Sequence, residues 1–315
     1  MKLSQLTFSP AQHIVIFGDP KTGKTRLVGS LAAKYKLLWI DIENGLITLT
    51  QLPIEWQDNI EVVQLPDTRT YPIASSTMLQ VIKGGKTSVC HNHGAVSCAL
   101  CLKDKTAVWN SIELNALNPD EWVVVLDGIT QLGNSVMAHI CRSQADDYKP
   151  DWEDYRAQGS LLDRFFSQMQ QAKYNFVCTA LVILTEREDK TNKLTPLCGT
   201  TNYSTNVSKY FDHVIYCEMK GKKHAFGSKT TYSLSATSGS RTGVAIEDQK
   251  DEYPNLLPFF ESARLQSSTS RGTPGAATGA NQAAQIVDSN QQALDRLAAT
   301  SQKGGLPATL LNAKF

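Results

Sequence analysis

The feature that most constrains the fold is an octapeptide near the amino terminus, GDPKTGKT (18–25), which matches the pattern G-x-x-x-x-G-K-[ST]. It follows a β-branched apolar run, HIVIFG (13–18), and it leads into a run of good helix formers, TRLVGSLAAKY (25–35). A strand, a glycine-rich loop and a helix in this order form the context that the pattern requires. The chain is therefore predicted to have an α/β fold that begins with a phosphate-binding loop.

The chemistry of such a loop is specific. Its backbone N–H groups turn towards phosphate oxygens, and the amino end of the following helix adds a favourable partial charge. We expect Lys24 to reach the β- and γ-phosphates of a nucleotide and the Thr25 hydroxyl to hold Mg²⁺. The predicted nucleotide-binding residues are Gly18, Asp19, Pro20, Lys21, Thr22, Gly23, Lys24, Thr25 and Arg26.

Composition limits the environment more than the function. The chain has 315 residues, of which 41% are hydrophobic, so it can bury a substantial core. Its formal net charge of +1 neither supports nor excludes a nucleic-acid partner. The amino terminus lacks the apolar core of a signal peptide, and no run approaches the roughly 18 apolar residues that span a membrane. We therefore expect a cytoplasmic protein with no membrane partner.

Acidic residues follow two predicted buried strands. KLLWI (36–40) is followed by Asp41 and Glu43, and the run WVVVLD (122–127) ends at Asp127. Ligands of an α/β sheet gather beyond the carboxyl ends of its strands. Asp127 is predicted to hold Mg²⁺ as a Walker B acid, and a carboxylate after the earlier strand could orient and deprotonate an attacking water. The alternative is that Asp41 or Glu43 caps a helix or forms a surface turn.

Further apolar runs predict the remainder of the sheet. A helix with one apolar face is predicted over AQGSLLDRFFSQMQQAK (157–173). Because strands and helices alternate, we predict a mostly parallel central sheet flanked by helices. The additional strands are predicted at IEVVQL (60–65), NFVCTALVIL (175–184), FDHVIYCEM (211–219) and TTYSLSAT (230–237).

The segment VCHNHGAVSCALC (89–101) concentrates three of the seven cysteines and two histidines. Two close pairs of ligands separated by a turn suit a tetrahedral, structural Zn²⁺ site, because four protein ligands leave no open position. Reduced thiols clustered by chance are the alternative. The site would lie in an insertion at about 67–119, flanked by lysines that could contact nucleic acid. The predicted ligands are Cys90, His93, Cys98 and Cys101, with His91 as an alternative fourth ligand.

From about residue 262 the sequence becomes rich in Ser, Gly, Ala, Thr and Gln, which predicts a flexible linker. A thin apolar stripe within 281–299 allows a short helix. The predicted organisation is an ATPase-like core at 1–261 and a low-complexity tail at 262–315.

Several ordered segments together resemble the RecA-like P-loop ATPases, and within them the phage-encoded RecA-type ATPases of recombination and single-strand annealing. The resemblance covers about residues 10–260. It implies ATP hydrolysis with Glu43 and Lys24 as catalytic residues and Thr179 as the polar sensor. The segments that carry it are GDPKTGKT, LLWIDIENG, WVVVLDGIT, DWEDYRAQGSLLDRFFSQMQQAKYNFVCTA and YFDHVIYCEMK.

The resemblance also implies partners. RecA-like subunits form rings or filaments with ATP between subunits, and a basic residue of the neighbour completes the site. Arg241 in SGSRTG (238–243) is the predicted residue, Lys222 and Lys223 compete for the role, and a solvated arginine without that role is the alternative. Single-stranded DNA is the predicted ligand, with a single-strand-binding protein or other recombination proteins as further partners.

DNA-binding loops of this family correspond to two segments here. The first, 142–157, is acidic, so its aromatic residues Tyr148, Trp152 and Tyr155 would have to stack on bases with little electrostatic help. The alternative for Trp152, which we predict, is a core anchor, because burial dominates the energetics of aromatic residues. The second, 186–206, carries Arg187, Lys190 and Lys193, a set suited to phosphate contacts.

The sequence thus predicts an ATPase that binds single-stranded DNA in recombination, annealing or replication. Two alternatives stay open: a P-loop phosphotransferase that acts on a small molecule, and a nucleotide-switched protein that binds DNA or a partner with little hydrolysis.

Overall fold

The computed structural model describes residues 9–68, 70–145, 147–186, 190–233, 235–249 and 254–269. All of these belong to one compact unit, residues 1–270. Arg187, the predicted helix within 281–299 and the rest of the tail beyond residue 269 lie outside the described residues. No helix among the described residues combines the length and the apolar composition that crossing a bilayer requires.

A mostly parallel sheet forms the centre of the molecule, with strand order β11-β10-β1-β7-β6-β2-β3. The six strands from β10 to β3 along this order are parallel, and β11 and the short β12 pair antiparallel with β10. β4 pairs with β5, and β8 with β9, in two separate hairpins. The strands are β1 (His13–Gly18), β2 (Lys36–Asp41), β3 (Ile60–Gln64), β4 (Thr87–Cys90), β5 (Trp109–Ile112), β6 (Trp122–Asp127), β7 (Asn175–Ala180), β8 (Val182–Glu186), β9 (Asn192–Pro196), β10 (His213–Lys220), β11 (Lys223–Gly227) and β12 (Gly239–Ser240).

Helices cover both faces of this sheet. Alternate strand residues pack against α3, α4 and α5 on one face, and the others pack against α1 and α7 on the opposite face. The predicted fold class, a mixed α/β fold with a mostly parallel central sheet flanked by helices, is confirmed. The helices are α1 (Lys24–Gly29), α2 (Ile54–Gln57), α3 (Ile73–Val81), α4 (Ile129–Ile140), α5 (Trp152–Gln170), α6 (Thr201–Asn206) and α7 (Leu257–Thr269).

Strand register brings the polar residues at the strand ends together. Asp41 of β2 lies opposite Asp127 of β6, and Thr179 of β7 lies opposite Ile16 of β1. Since β7 lies between β1 and β6, all of these strands end at the edge where the P-loop leaves β1. The acids and the threonine share the sheet face that α1 covers, because side chains alternate along each strand.

The predicted strand 175–184 is divided in the structure. β7 ends at Ala180, opposite Phe17, and β8 starts two residues later and leaves the sheet to pair with β9. The division has a physical reason: β1 ends at Gly18 and turns into the P-loop, so a longer β7 would have no backbone partner on that side.

The strand predicted at 230–237 is wrong. Among the described residues of that segment, only Ala236 forms a bridge, with Leu194. The edge position beside β10 is taken instead by β11, because Gly221, with φ of +64°, allows the chain to reverse directly after β10. Helix α7 extends to Thr269 and so includes the first residues of the segment that was predicted as a linker.

Candidate nucleotide and metal sites

The P-loop approaches its neighbours so closely that two of its positions require glycine. A Cβ on Gly18 would lie 2.0 Å from the carbonyl oxygen of Cys217 in β10. Gly23 has φ of +91° at the start of α1, and a Cβ there would lie 3.1 Å from Nδ1 of His224. The two glycines of the motif are therefore demanded by the packing around the loop as well as by a phosphate ligand.

The Lys24 side chain is buried inside this loop. Its Nζ donates to the carbonyl oxygens of Gly18 (2.9 Å) and Asp19 (2.7 Å), and the Thr22 hydroxyl closes the loop through a bond to Asp19 O (2.8 Å). Burial lowers the pKa of the Lys24 ammonium, and nearby acids, including Glu43, oppose this shift. The loop holds its cation in place before a phosphate arrives.

Asp127 and Thr179 form a direct pair at the ends of adjacent strands. The Thr179 hydroxyl donates to Asp127 Oδ1 at 2.5 Å, and both side chains are buried. Loss of hydration raises the pKa of Asp127 to about 6, although the hydrogen bond from Thr179 acts in the opposite direction. The structure thus brings together the predicted Walker B acid and the predicted sensor.

The two acids after β2 have different environments. Asp41 is buried, its Oδ1 accepts from the Gly45 amide (3.3 Å), and burial raises its pKa. It forms a hydrogen bond within the turn after β2, but its buried position differs from the surface turn of the alternative interpretation. Glu43 is exposed and caps no helix: the next helical turn, Leu46–Gln51, has no side-chain cap.

Glu43 packs over Gly128, the residue that follows Asp127. A Cβ on Gly128 would lie 2.5 Å from Glu43 Cγ and 2.7 Å from its Oε1. Partial burial raises the pKa of the Glu43 carboxyl, and the Lys24 ammonium lowers it. Glu43 therefore has the surroundings of a base beside the P-loop lysine, and Gly128 supports it.

These residues fit a nucleotide with Mg²⁺. Mg²⁺ prefers oxygen ligands from carboxylates and hydroxyls. Asp127 supplies a buried carboxylate whose second oxygen, Oδ2, faces Gly45: a Cβ built on that glycine would lie 3.5 Å from it. Thr25, at the start of α1, would supply the hydroxyl. The bound ion would draw negative charge from the terminal phosphate oxygens.

Arg241 lies at the amino ends of the parallel strands, opposite the carboxyl ends where the P-loop lies. Its guanidinium pairs with Asp212 (3.1 Å) and donates to Lys209 O (3.4 Å), and Asp212 directly precedes β10. The P-loop adjoins the other part of β10, where Gly18 lies opposite Cys217. The predicted role of Arg241 in a neighbouring subunit's site stays a prediction.

Lys222 and Lys223, which compete with Arg241, lie at the turn between β10 and β11 on the P-loop side of the sheet. They directly precede His224, the residue that packs on Gly23. Sequence analysis missed His224 and Gly128. The Asp-Gly pair before a helix was the available signal for Gly128, whereas the contact of His224 depends on the position of an unpredicted edge strand.

The predicted DNA-binding residues lie in two places. Lys190 and Lys193 belong to the β8–β9 hairpin, which begins directly after the sensor strand. The prediction that Trp152 is a core anchor is wrong: its side chain is 75% exposed. The reason is its position at the first turn of α5, since the buried stripe of that helix starts only at Gln158.

The Cys/His cluster can hold a zinc ion. The ligand atoms of Cys90, His93, Cys98 and Cys101 all lie within 4.8 Å of one another. His93 Nδ1 is 3.2 Å from the Cys101 sulfur and 3.5 Å from the Cys98 sulfur. Tetrahedral zinc with bonds of about 2.0–2.3 Å places its ligand atoms at such separations. His91, the alternative ligand, is not part of this group.

Two local features characterise this cluster. Backbone N–H groups, first that of Cys101, lower the pKa of the Cys98 thiol to about 7, whereas desolvation raises the pKa of the Cys101 thiol to about 12, so Cys98 is the thiol of this pair that more readily becomes a zinc-binding thiolate. Gly94, with φ of +64°, packs so closely that a Cβ would lie 2.7 Å from Gln64 O at the end of β3. The cluster is thereby attached to the central sheet.

The chain belongs to the AAA domain family, because the profile of that family matches residues 11–244. The match extends from β1 past β12 and includes the P-loop, the acids and Thr179. It defines a P-loop ATPase domain of the AAA type, which binds and hydrolyses nucleotides. No curated protein gave a match to the chain. The narrower resemblance to phage recombination ATPases stays a prediction.

Proposed function

We propose that this protein hydrolyses ATP with Mg²⁺, binds single-stranded DNA, and is stimulated by that DNA, in support of recombination, annealing or replication in a bacterial cytoplasm. The observation that supports this most is the position of Glu43. It lies two residues beyond the end of β2, the strand beside the Walker B strand, packed on Gly128 and within the electrostatic reach of Lys24. A kinase that transfers phosphate to a small molecule has no need for a water-activating base there.

In the proposed reaction Lys24 contacts the phosphates, and Thr25 and Asp127 would hold a magnesium ion. Glu43 orients a water and accepts its proton while Lys24 neutralises charge on the terminal phosphate. Thr179 keeps the Asp127 carboxylate in one orientation through its 2.5 Å hydrogen bond.

Two exposed aromatic side chains and two hairpin lysines, the exposed Lys190 and the half-buried Lys193, are the proposed DNA contacts. Trp152 and Tyr155 are 75% and 44% exposed at the start of α5, where bases could stack on them. Lys190 and Lys193 in the β8–β9 hairpin would contact phosphates. We also propose a ring or filament in which Lys222, Lys223 or Arg241 of one subunit reaches the nucleotide of the next, with single-strand-binding or other recombination proteins as partners.

The first experiment measures ATP turnover and ATP affinity. Lys24→Ala is expected to lose ATP binding, because the buried ammonium disappears. Glu43→Gln is expected to bind ATP normally and to lose about 10²- to 10⁴-fold in kcat, the usual contribution of a general base. Glu61→Gln, at an exposed position of β3, is the matched control and should behave as wild type. Normal turnover by Glu43→Gln would refute the assigned base.

The second experiment measures binding of fluorescent oligothymidine by anisotropy and its effect on turnover. Trp152→Ala and the double change Lys190→Ala with Lys193→Ala should each weaken binding, and the lysine pair should also reduce the salt dependence. Lys173→Ala, an exposed lysine after α5, is the control. If wild type hydrolyses ATP and ignores oligothymidine, DNA is not the ligand.

A further inference from the structure

We infer that Thr130 is a positioning residue that couples the nucleotide site to the β8–β9 hairpin. Its side chain is buried in the first turn of α4, directly beyond Asp127 and Gly128. The Thr130 hydroxyl makes two hydrogen bonds: it accepts from the Leu181 amide (2.9 Å) and donates to the Leu197 carbonyl oxygen (2.7 Å).

Those two partners are the residues at the base of the hairpin. Leu181 directly precedes β8, Leu197 directly follows β9, and the Leu197 amide donates to Leu181 O at 2.8 Å. One hydroxyl therefore ties both ends of the hairpin to the start of α4. These bonds use the single donor and one of the two acceptor lone pairs of the hydroxyl, so the orientation of the Thr130 side chain is well defined.

The other end of this connection is the nucleotide site. Gly128, two residues before Thr130, adopts φ of +109°. The Glu43 side chain packs against it, so that a Cβ at Gly128 would lie 2.5 Å from Glu43 Cγ. Asp127 is bound to Thr179, which is two residues before Leu181. A change in Glu43 or Asp127 when phosphate and metal bind is thus passed to the hairpin base by both chain segments, and Thr130 locks the two together.

The hairpin has a second anchor that does not depend on the nucleotide site. The Leu194 amide donates to Ser235 O (2.6 Å), and the Thr237 amide donates to Leu194 O (2.8 Å). Loss of the Thr130 hydroxyl should therefore leave the hairpin folded. It should also weaken the effect of the nucleotide on the two ends of the hairpin, Leu181 and Leu197. The part of this inference that concerns DNA rests on the proposed function, since Lys190 and Lys193 are hairpin residues.

Hydrogen exchange of the full chain tests the coupling without DNA. The exchange protection of the amides of 182–186 and 190–197 is measured in two states: with Mg²⁺ and ADP, and with Mg²⁺ and a non-hydrolysable ATP analogue. Wild type should show a difference in protection. Thr130→Val, which keeps the shape and removes the hydroxyl, should reduce that difference by at least about fivefold, the lower end of common coupling strengths. Thr130→Ser should retain it, and nucleotide affinity should be unchanged in both.

Thr185→Val is the matched control, because Thr185 also uses a buried hydroxyl, to Lys193 O at 2.9 Å, within the hairpin and away from α4. It should keep the nucleotide-dependent difference. Where Thr130→Val does not fold, Thr130→Ala against Thr130→Ser isolates the hydroxyl instead. A full difference in the variant without the hydroxyl, or none in wild type, overturns the inference.

Binding of oligothymidine separates this inference from the proposed function. If wild type shows a Thr130-dependent difference and binds no oligothymidine, the DNA function fails and the coupling stands. If oligothymidine stimulates wild type and Thr130→Val equally, the coupling fails and the DNA function stands.

Discussion

Gly128→Ala tests whether the backbone after Asp127 holds Glu43, the proposed base, in place. The added methyl carbon would lie 2.5 Å from Glu43 Cγ. Ordinary carbon contacts are about 3.5–4.0 Å, so the Glu43 side chain must move by roughly 1 Å or more. The three atoms nearest to the new methyl carbon all belong to Glu43 and none to the Lys24 loop, so nucleotide binding should survive.

Two magnitudes follow from this geometry. Alanine at φ of +109° is strained, which should lower the free energy of unfolding by about 1–3 kcal/mol. A displacement of about 1 Å at the reacting centre costs up to roughly 10²-fold in rate, so kcat should fall by about that factor. The dissociation constant of ATP should stay within about threefold of wild type.

The control is Gly243→Ala. Gly243 has φ of +75° and no atom within 4 Å of its Cβ position, so this change imposes backbone strain without a collision. Urea unfolding should show a loss of stability in both variants, at least as large in Gly128→Ala because of the added collision, and ATP turnover should fall only in Gly128→Ala. Wild-type kcat in Gly128→Ala would refute the reasoning, as would an equal loss of turnover in Gly243→Ala.

Three further predictions concern pH, metal and the basic residues. Burial lowers the pKa of His213 from 6.5 to about 4, so the stabilising contribution of neutral His213 is complete above about pH 6.5 and is lost as the pH falls towards 4. Wild type should therefore lose about 2 kcal/mol of unfolding free energy between about pH 7 and pH 5 that His213→Asn does not lose. An equal dependence of stability on pH in the two proteins, measured by urea titration, would contradict this. Elemental analysis should find about one zinc per chain in wild type and a deficit in Cys98→Ser, with a lower melting temperature after chelation; a metal-free protein of unchanged stability would exclude a structural zinc. Arg241→Ala breaks an ion pair whose arginine is 59% exposed, so it should cost at most about 1 kcal/mol of stability. A loss of ATP turnover in Arg241→Ala, or instead in Lys222→Ala or Lys223→Ala, identifies the residue that acts on a neighbour's nucleotide. Normal turnover in all three variants excludes that mechanism.

Local motifs were predictable where all the residues that define them are close together in the sequence. The P-loop combines a buried strand, two glycines that nothing larger can replace and a helix start, all within residues 13–29. The zinc ligands are likewise close in sequence, and a turn at Gly94 suffices to bring them together. Errors occurred where the outcome depends on distant neighbours: the exposure of Trp152, and the loss of the 230–237 strand to β11.

The sequence by itself determined which chemical groups the chain can offer: the phosphate-binding loop, the acids after two strands, and a Cys/His cluster that could hold zinc. The tertiary structure decided which of these groups meet. The strand order β1-β7-β6-β2 places Thr179 beside Asp127 and Glu43 beside Gly128, whereas Arg241 pairs with Asp212 at the amino end of β10. Strand order is set by long-range pairing and by packing of helices on both faces, and no local pattern encodes which strand ends will be neighbours.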